Sequence, residues 1–181
     1  MEQIEKTVEN YSGNSNIKRK YGILEFQYSD FDTLTKEIIG SEVNILIENA
    51  NDGAANSGLS RNLETKSDDA FSGIIAEFAV LQFLNTLVPN SANRPIVTTS
   101  HNQVDITWQF NEKNYSIEVR SSFVKNGIDF ALFATNEKTN MPYFDMLGPY
   151  YQTKYKTDYE SDKDSYFRVL YPGIKKTFTP N

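Results

Sequence analysis

Residues Val104 to Ser121 carry the most restrictive pattern in the chain. Val104, Ile106, Trp108 and Phe110 alternate with Asp105, Thr107 and Gln109, and Tyr115, Ile117 and Val119 alternate with Ser116, Glu118 and Arg120. Period-two alternation on both sides of the polar stretch Asn111-Glu112-Lys113-Asn114 predicts an antiparallel hairpin with one buried face. A four-residue loop pairs Phe110 with Tyr115, Trp108 with Ile117 and Ile106 with Val119, so that the buried face is apolar throughout. On the other face Thr107 opposes Glu118 and Asp105 opposes Arg120, while Asp105 and Glu118 become diagonal neighbours with backbones roughly 7–8 Å apart. Two carboxylates at that spacing can lean onto one hard cation, and magnesium prefers such oxygen donors with open water positions. The same register also permits a plain cross-strand ion pair between Asp105 and Arg120, with Glu118 a solvated edge residue.

The clearest helix precedes this hairpin. Ser67 is a suitable cap, Asp68 and Asp69 suit the positive end of the helix, and Pro89 forbids continuation. At 100° per residue Phe71, Ile74, Ile75, Phe78, Leu81, Leu84 and Val88 form one broad apolar arc. Glu77 falls inside the arc, where an ionised group costs several kcal/mol unless a positive partner meets it. It is therefore read either as a third carboxylate arriving beside Asp105 and Glu118, or as a rim residue that reaches water or a structural arginine.

The run Gly73-Ile74-Ile75-Ala76-Glu77, then Val104-Asp105, then Ile117-Glu118-Val119-Arg120 resembles the PD-(D/E)XK nuclease superfamily, which includes restriction endonucleases and repair nucleases. The likeness covers roughly residues 67 to 135, with Asp105 and Glu118 separated by 13 positions. It implies an α/β (α+β) fold with a central mixed sheet flanked by helices, a restriction-endonuclease-like core. It also implies a site in which Glu77, Asp105 and Glu118 hold Mg2+ or Mn2+ for metal-dependent phosphodiester hydrolysis of DNA, RNA being left open. Two departures stand out: Val104 replaces the family's proline, and Arg120 stands at the lysine position. Arginine is always protonated and cannot act as a base, though it can hold a phosphoryl oxygen. A water-activating role then falls to the metal, or to Lys125 or another lysine. A possible homodimer or larger defence or repair complex goes with the same likeness.

Elsewhere the sequence reads as a single domain over 1–181, with an N-terminal part (1–50) and the core at 67–171. In the first part Tyr21–Tyr28 reads as a strand. Ser29 caps a short helix over Asp30–Ile39 that Gly40 stops, and Val43–Ile47 reads as a buried strand. Asn49–Ser67 reads as a linker or functional loop. Past the hairpin, Ile128–Ala134 and Ser165–Tyr171 read as strands, the latter ended by Pro172-Gly173. The tyrosine-rich C-terminal third, interleaved with Lys154, Lys156, Lys163 and Arg168, packs as an aromatic core with a charged outer face or stacks on nucleic-acid bases.

Composition narrows the chemistry. With no cysteine, thiolate zinc sites and cysteine nucleophiles are excluded, and with His101 as the single histidine a multi-histidine metal centre is too. A net charge of −6 carries no general signature of nucleic-acid binding, and the basic clusters Lys18-Arg19-Lys20 and Lys175-Lys176 read as solvated surface. No uninterrupted apolar run approaches the roughly 20 residues of a membrane span, and the N-terminus lacks a secretion-signal pattern, so the expected compartment is the cytoplasm. Two other functions compete with the nuclease: a catalytically silent nuclease-fold domain that binds nucleic acid or a protein, and an interaction domain whose carboxylate face meets a basic partner.

Overall fold

The hairpin forms with a tighter turn than alternation alone dictates. In the computed structural model, which describes residues 2–9, 18–49, 63–95, 104–124, 134–135, 142–143 and 163–172, β4 (Ile106–Phe110) pairs antiparallel with β5 (Lys113–Val124). Phe110 pairs with Lys113, Trp108 with Tyr115 and Ile106 with Ile117. The expected four-residue loop is thus corrected to a two-residue turn in which Asn111 and Glu112 both take positive φ, 48° and 62°. That double left-handed conformation is the type I′ turn, whose twist matches the right-handed twist of paired strands. The register moves by two residues. A shift of two leaves every side chain on its own face, which is why the apolar pattern could not distinguish the registers.

The chain divides into two compact units. One comprises Met1–Asp32, Ser122–Gly148 and Leu170–Asn181, the other Thr33–Ser121 and Pro149–Val169. In the first, β1 (Glu2–Glu9) and β2 (Lys18–Glu25) form an antiparallel pair from Glu2 opposite Glu25 to Glu9 opposite Lys18. β1 carried no expectation, and the strand read over Tyr21–Tyr28 is shifted toward the N-terminus. A short 3-10 turn follows at Tyr28–Asp30. Its cap is not Ser29: the Gln27 N–H donates to Asp30 Oδ2 at 2.9 Å. Phe31 is buried there, its ring centroid 4.6 Å from Phe26 and 5.8 Å from Tyr28. β6 (Ala134–Thr135) and β7 (Pro142–Tyr143) make a small antiparallel pair.

The second unit opens with α1 (Thr33–Asn49), which runs straight through Gly40 and through the stretch Val43–Ile47 expected to be a strand. Ile39 and Val43 are buried and Ile47 is half-buried, while Ile45 and Leu46 are exposed. Spacing of four residues on one side is a helical signature, and a five-residue apolar run was too short to reveal it. Nothing lies within 4 Å of where a Gly40 side chain would begin. The residue therefore costs only the propensity of an unstapled helix interior, about 1 kcal/mol relative to alanine, and does not stop it.

α2 (Leu63–Leu87) starts four residues before the expected cap at Ser67. It packs against α1, the short strand Ala92–Asn93 and β4. Ala76, Val80 and Leu84, one turn apart, join Ala92, Ile106, Ile117 and Val119 in the hydrophobic core, with Leu81, Phe83, Trp108, Phe167 and Val169 around them. The predicted arc of Ile74, Ile75, Phe78 and Leu84 is buried as well. The helix is therefore enclosed on more than one side, which a single-arc reading underestimates. Over Lys66–Leu87 it is the one helix among the described residues long and apolar enough to cross a membrane, and here its side chains pack on α1 and the sheet.

The central sheet is open and mixed, in the order β3 (Ala92–Asn93), β4, β5, β8 (Ser165–Pro172), giving an α+β fold with a sheet and two helices. β3 is fixed to α2 by one side chain: Asn85 Nδ2 donates to the Ala92 carbonyl and its Oδ1 accepts the Ala92 N–H, both at 3.0 Å. Ser91 adds a second tie, accepting from Trp108 Nε1 at 2.9 Å and from the Gln109 N–H, through its carbonyl, at 2.8 Å. These short, buried links set where the next residue, Arg94, can reach.

Candidate charged site at the end of the hairpin

Asp105 precedes β4 at the point where the ladder breaks. Its N–H donates to the Ile117 carbonyl at 3.1 Å, and its carboxylate Oδ2 accepts the Val119 N–H at 2.7 Å. The side chain thus replaces a main-chain acceptor, satisfying a buried N–H that would otherwise be orphaned. Among the described residues the other oxygen, Oδ1, accepts no hydrogen bond. Burial pushes the Asp105 carboxyl above the usual aspartate range, against the Val119 N–H and the charges of Arg120, Arg94 and Lys163, all of which favour the anion. Three cations from three segments therefore act on this one carboxylate.

Glu77 meets an arginine. Arg94, directly after β3, donates to Glu77 Oε2 from Nε at 3.0 Å and from Nη2 at 2.6 Å. Its Nη1 donates to both oxygens of Glu42 on α1, at 2.8 and 2.7 Å, and its guanidinium lies 4.5 Å from the centre of the Phe78 ring. One guanidinium thereby joins α1, α2 and β3, using the planar fork that distinguishes arginine from lysine. Burial nonetheless raises the Glu77 carboxyl to about 7, with Asp105 and Glu42 adding to the rise and Arg94 opposing it. Glu77 Oε1, like Asp105 Oδ1, accepts no hydrogen bond among the described residues.

Glu118 lies on β5, across the hairpin from Asp105. Ile117 and Val119 belong to the core shared with α2, so strand alternation turns Glu118 and Arg120 to the opposite face. Glu118 is buried and forms an ion pair with Arg120, which is 39% exposed at its side chain. The expected opposition of Asp105 to Arg120 is therefore corrected. The two-residue turn brings Glu118 to the position one step beyond the Ile106–Ile117 pair, across from Asp105, and Arg120 pairs within its own strand.

Of the residues read from the sequence, Arg120 acts on Asp105 and Asp105 acts on Glu77. Glu77 and Asp105 are close enough for the charge of one to act on the other. No three acidic or histidine side chains among the described residues converge closely enough to hold a metal between them. His101, Lys125, Lys154, Lys156, Lys175, most of Ile128–Ala134 and most of the tyrosine-rich tail lie outside the described residues. Lys163, grouped with surface cations in the sequence, is 8% exposed and acts on Asp105. Its neighbour Asp164 accepts from the N–H and hydroxyl of Ser116, both at 2.7 Å, which holds the start of β8 on β5.

Sequence reasoning missed Arg94 and Glu42. Arg94 sits in a polar run, Asn93-Arg94-Pro95, with no periodicity to mark it. The one available signal was Glu77 itself, since a carboxylate in an apolar arc calls for a cation somewhere. Compared with known proteins, the chain matches no family model, no curated sequence and no solved structure.

Proposed function

We propose that this chain is a divalent-metal-dependent nuclease domain of the PD-(D/E)XK type, cleaving phosphodiester bonds in DNA, in the cytoplasm. The observation that carries this reading is the pair of oxygens Asp105 Oδ1 and Glu77 Oε1. Each belongs to a carboxylate whose other oxygen is held by the fold, and each is itself without a hydrogen bond among the described residues. Hard oxygen donors of this kind suit magnesium or manganese, with Glu118 as the next acidic donor along β5. A bound divalent ion supplies a lowered water pKa and neutralises phosphate charge. Asp105, anchored through Val119, fixes the direction of its free oxygen. Arg120, half-exposed at its side chain, can hold a phosphate oxygen bidentately but cannot take a proton. Lys163, whose charge reaches Asp105, is a second cation for the developing negative charge.

A second reading has its own support. Arg94 holds Glu77 and Arg120 holds Glu118, the arrangement of a silent member of such a fold that binds nucleic acid or a protein partner. The deciding experiment is incubation of the chain with double- and single-stranded DNA and with RNA in Mn2+ and Mg2+, beside Asp105→Asn. Metal-dependent cleavage lost in Asp105→Asn is the expected result. No cleavage and no calorimetric Mn2+ binding would leave the silent reading.

A further inference from the structure

α1 is apolar on two sides, and the packing of the fold uses one of them. Ile39 and Val43 are buried and Ile47 half-buried at four-residue spacing, whereas Leu34, Ile38 and Ile45 stand 66%, 40% and 54% exposed. At 100° per residue the exposed three fall within about 40° of one another, in a stripe about 16 Å long. Their spacing is that of a coiled-coil seam: Ile38 and Ile45 occupy a, Leu34 and Ser41 occupy d, and isoleucine at a with leucine at d is a pairing such seams favour. We propose that this stripe is a docking surface for a basic amphipathic helix of a partner protein.

Charge selects the occupant. Glu37 at g and Glu48 at the next d border the stripe, both exposed and neither in an ion pair among the described residues, while Glu42 at e is already held by Arg94. Lys36, the one base in the α1 sequence, stands at f on the far side of the helix. The rim is thus acidic, and a helix with lysine or arginine at its own e and g positions meets it with opposite charge. A second copy of this chain fits worse. Paired parallel, two copies set Glu37 of one against Glu42 of the other and Glu48 against Glu48, and like charges at these positions oppose association. Paired antiparallel, they bring no cation from α1 to either glutamate, because Lys36 lies away from the seam.

The test uses the full chain and two synthetic four-heptad peptides with isoleucine at a and leucine at d, one carrying lysine at e and g and the other glutamate. Binding is followed by fluorescence anisotropy in about 0.1 M salt. The lysine peptide is expected to bind and the glutamate peptide is not. Ile38→Ser and Ile45→Ser are each expected to weaken the lysine peptide about 10-fold, the scale of one exposed isoleucine taken out of water. Glu37→Lys together with Glu48→Lys is expected to weaken it about 3- to 10-fold and to confer binding of the glutamate peptide. Leu87→Ser and Glu112→Lys, at exposed positions outside α1, are expected to match the parent, which separates the seam from a general attraction of a basic peptide to an acidic chain. Every substituted side chain is exposed, and circular dichroism melts check that each variant is folded. No binding by the parent, equal binding of both peptides, or losses in Leu87→Ser and Glu112→Lys as large as those in the stripe overturns the proposal. So does a parent that sediments as a dimer beside a monomeric Ile38→Ser, which gives the stripe to a second copy. None of these outcomes touches the metal-dependent reading, which rests on other residues.

Discussion

Replacing Asp105 tests two things at once, and comparing two substitutions separates them. Asp105→Ala removes the charge that three cations share and also removes the acceptor of the Val119 N–H, a 2.7 Å bond to a residue only 7% exposed. Asp105→Asn removes the same charge but keeps a carbonyl oxygen that can take that N–H. The field of Arg94, Arg120 and Lys163 is lost equally in both, and so is the cost of burying the anion. Their difference therefore reads the orphaned donor, about 1–3 kcal/mol. In a chain of this length that corresponds to roughly 2–4 °C per kcal/mol, so Asp105→Ala should melt about 2–12 °C below Asp105→Asn. Urea unfolding followed by circular dichroism should show the midpoint moving with the slope unchanged. Equal stability of the two variants would refute the claim that this side chain stands in for a strand carbonyl. It would also make alanine a clean probe of catalysis, which the present geometry denies.

Three further outcomes follow from the same residues. Glu112→Gly should stabilise the chain by about 0.5–1 kcal/mol in urea unfolding, because glycine removes the left-handed penalty at φ 62° and returns part of it as chain entropy. Asn85→Ala should cost roughly 2–4 kcal/mol by the same measurement, since it strands both the N–H and the carbonyl of buried Ala92. For pH, a carboxyl lifted to about 7 from 4.5 binds its proton more tightly in the folded state, so stability falls as pH rises through that window. The loss is on the order of 3 kcal/mol, raised Asp105 acts in the same direction, and melting temperatures from pH 4.5 to 8 should decline, less steeply in Glu77→Gln.

How much was legible depended on whether a residue's partner was near it in sequence. The hairpin, α2 and β8 were readable because their periodicities are local. The hairpin's faces were right even though its register was not, since a turn with Glu112 in a left-handed conformation has no sequence mark as plain as Asn-Gly. Val43–Ile47 was misread because so short an apolar-rich run fits a strand or one helical face equally, and only the burial of Ile39, Val43 and Ile47 at four-residue spacing decides it. Glu77 was legible as an anomaly, and its resolution was not: Arg94 is 17 positions away and Glu42 lies 52 from Arg94. The charge of Lys163 acts on Asp105 from 58 positions away in the sequence, a relation no spacing rule encodes.

The energetics say where function should be sought. Ala76, Val80, Leu84, Ile106 and Ile117 already bind α2 to the sheet by apolar burial. Four acids, Glu42 on α1, Glu77 on α2, Asp105 before β4 and Glu118 on β5, are joined by ion pairs or electrostatic influence to three bases, Arg94, Arg120 and Lys163. Well-packed apolar residues hold such a junction at least as firmly, because desolvation offsets most of what buried ion pairs return. Two of the acids carry raised pKa values even with the bases present. Burial is the chief cause in both, and a divalent cation or a basic partner beside them would favour their charged forms. The Mn2+ titration distinguishes the two: heat of binding that disappears in Asp105→Asn points to the ion, and its absence directs the search to a basic protein surface.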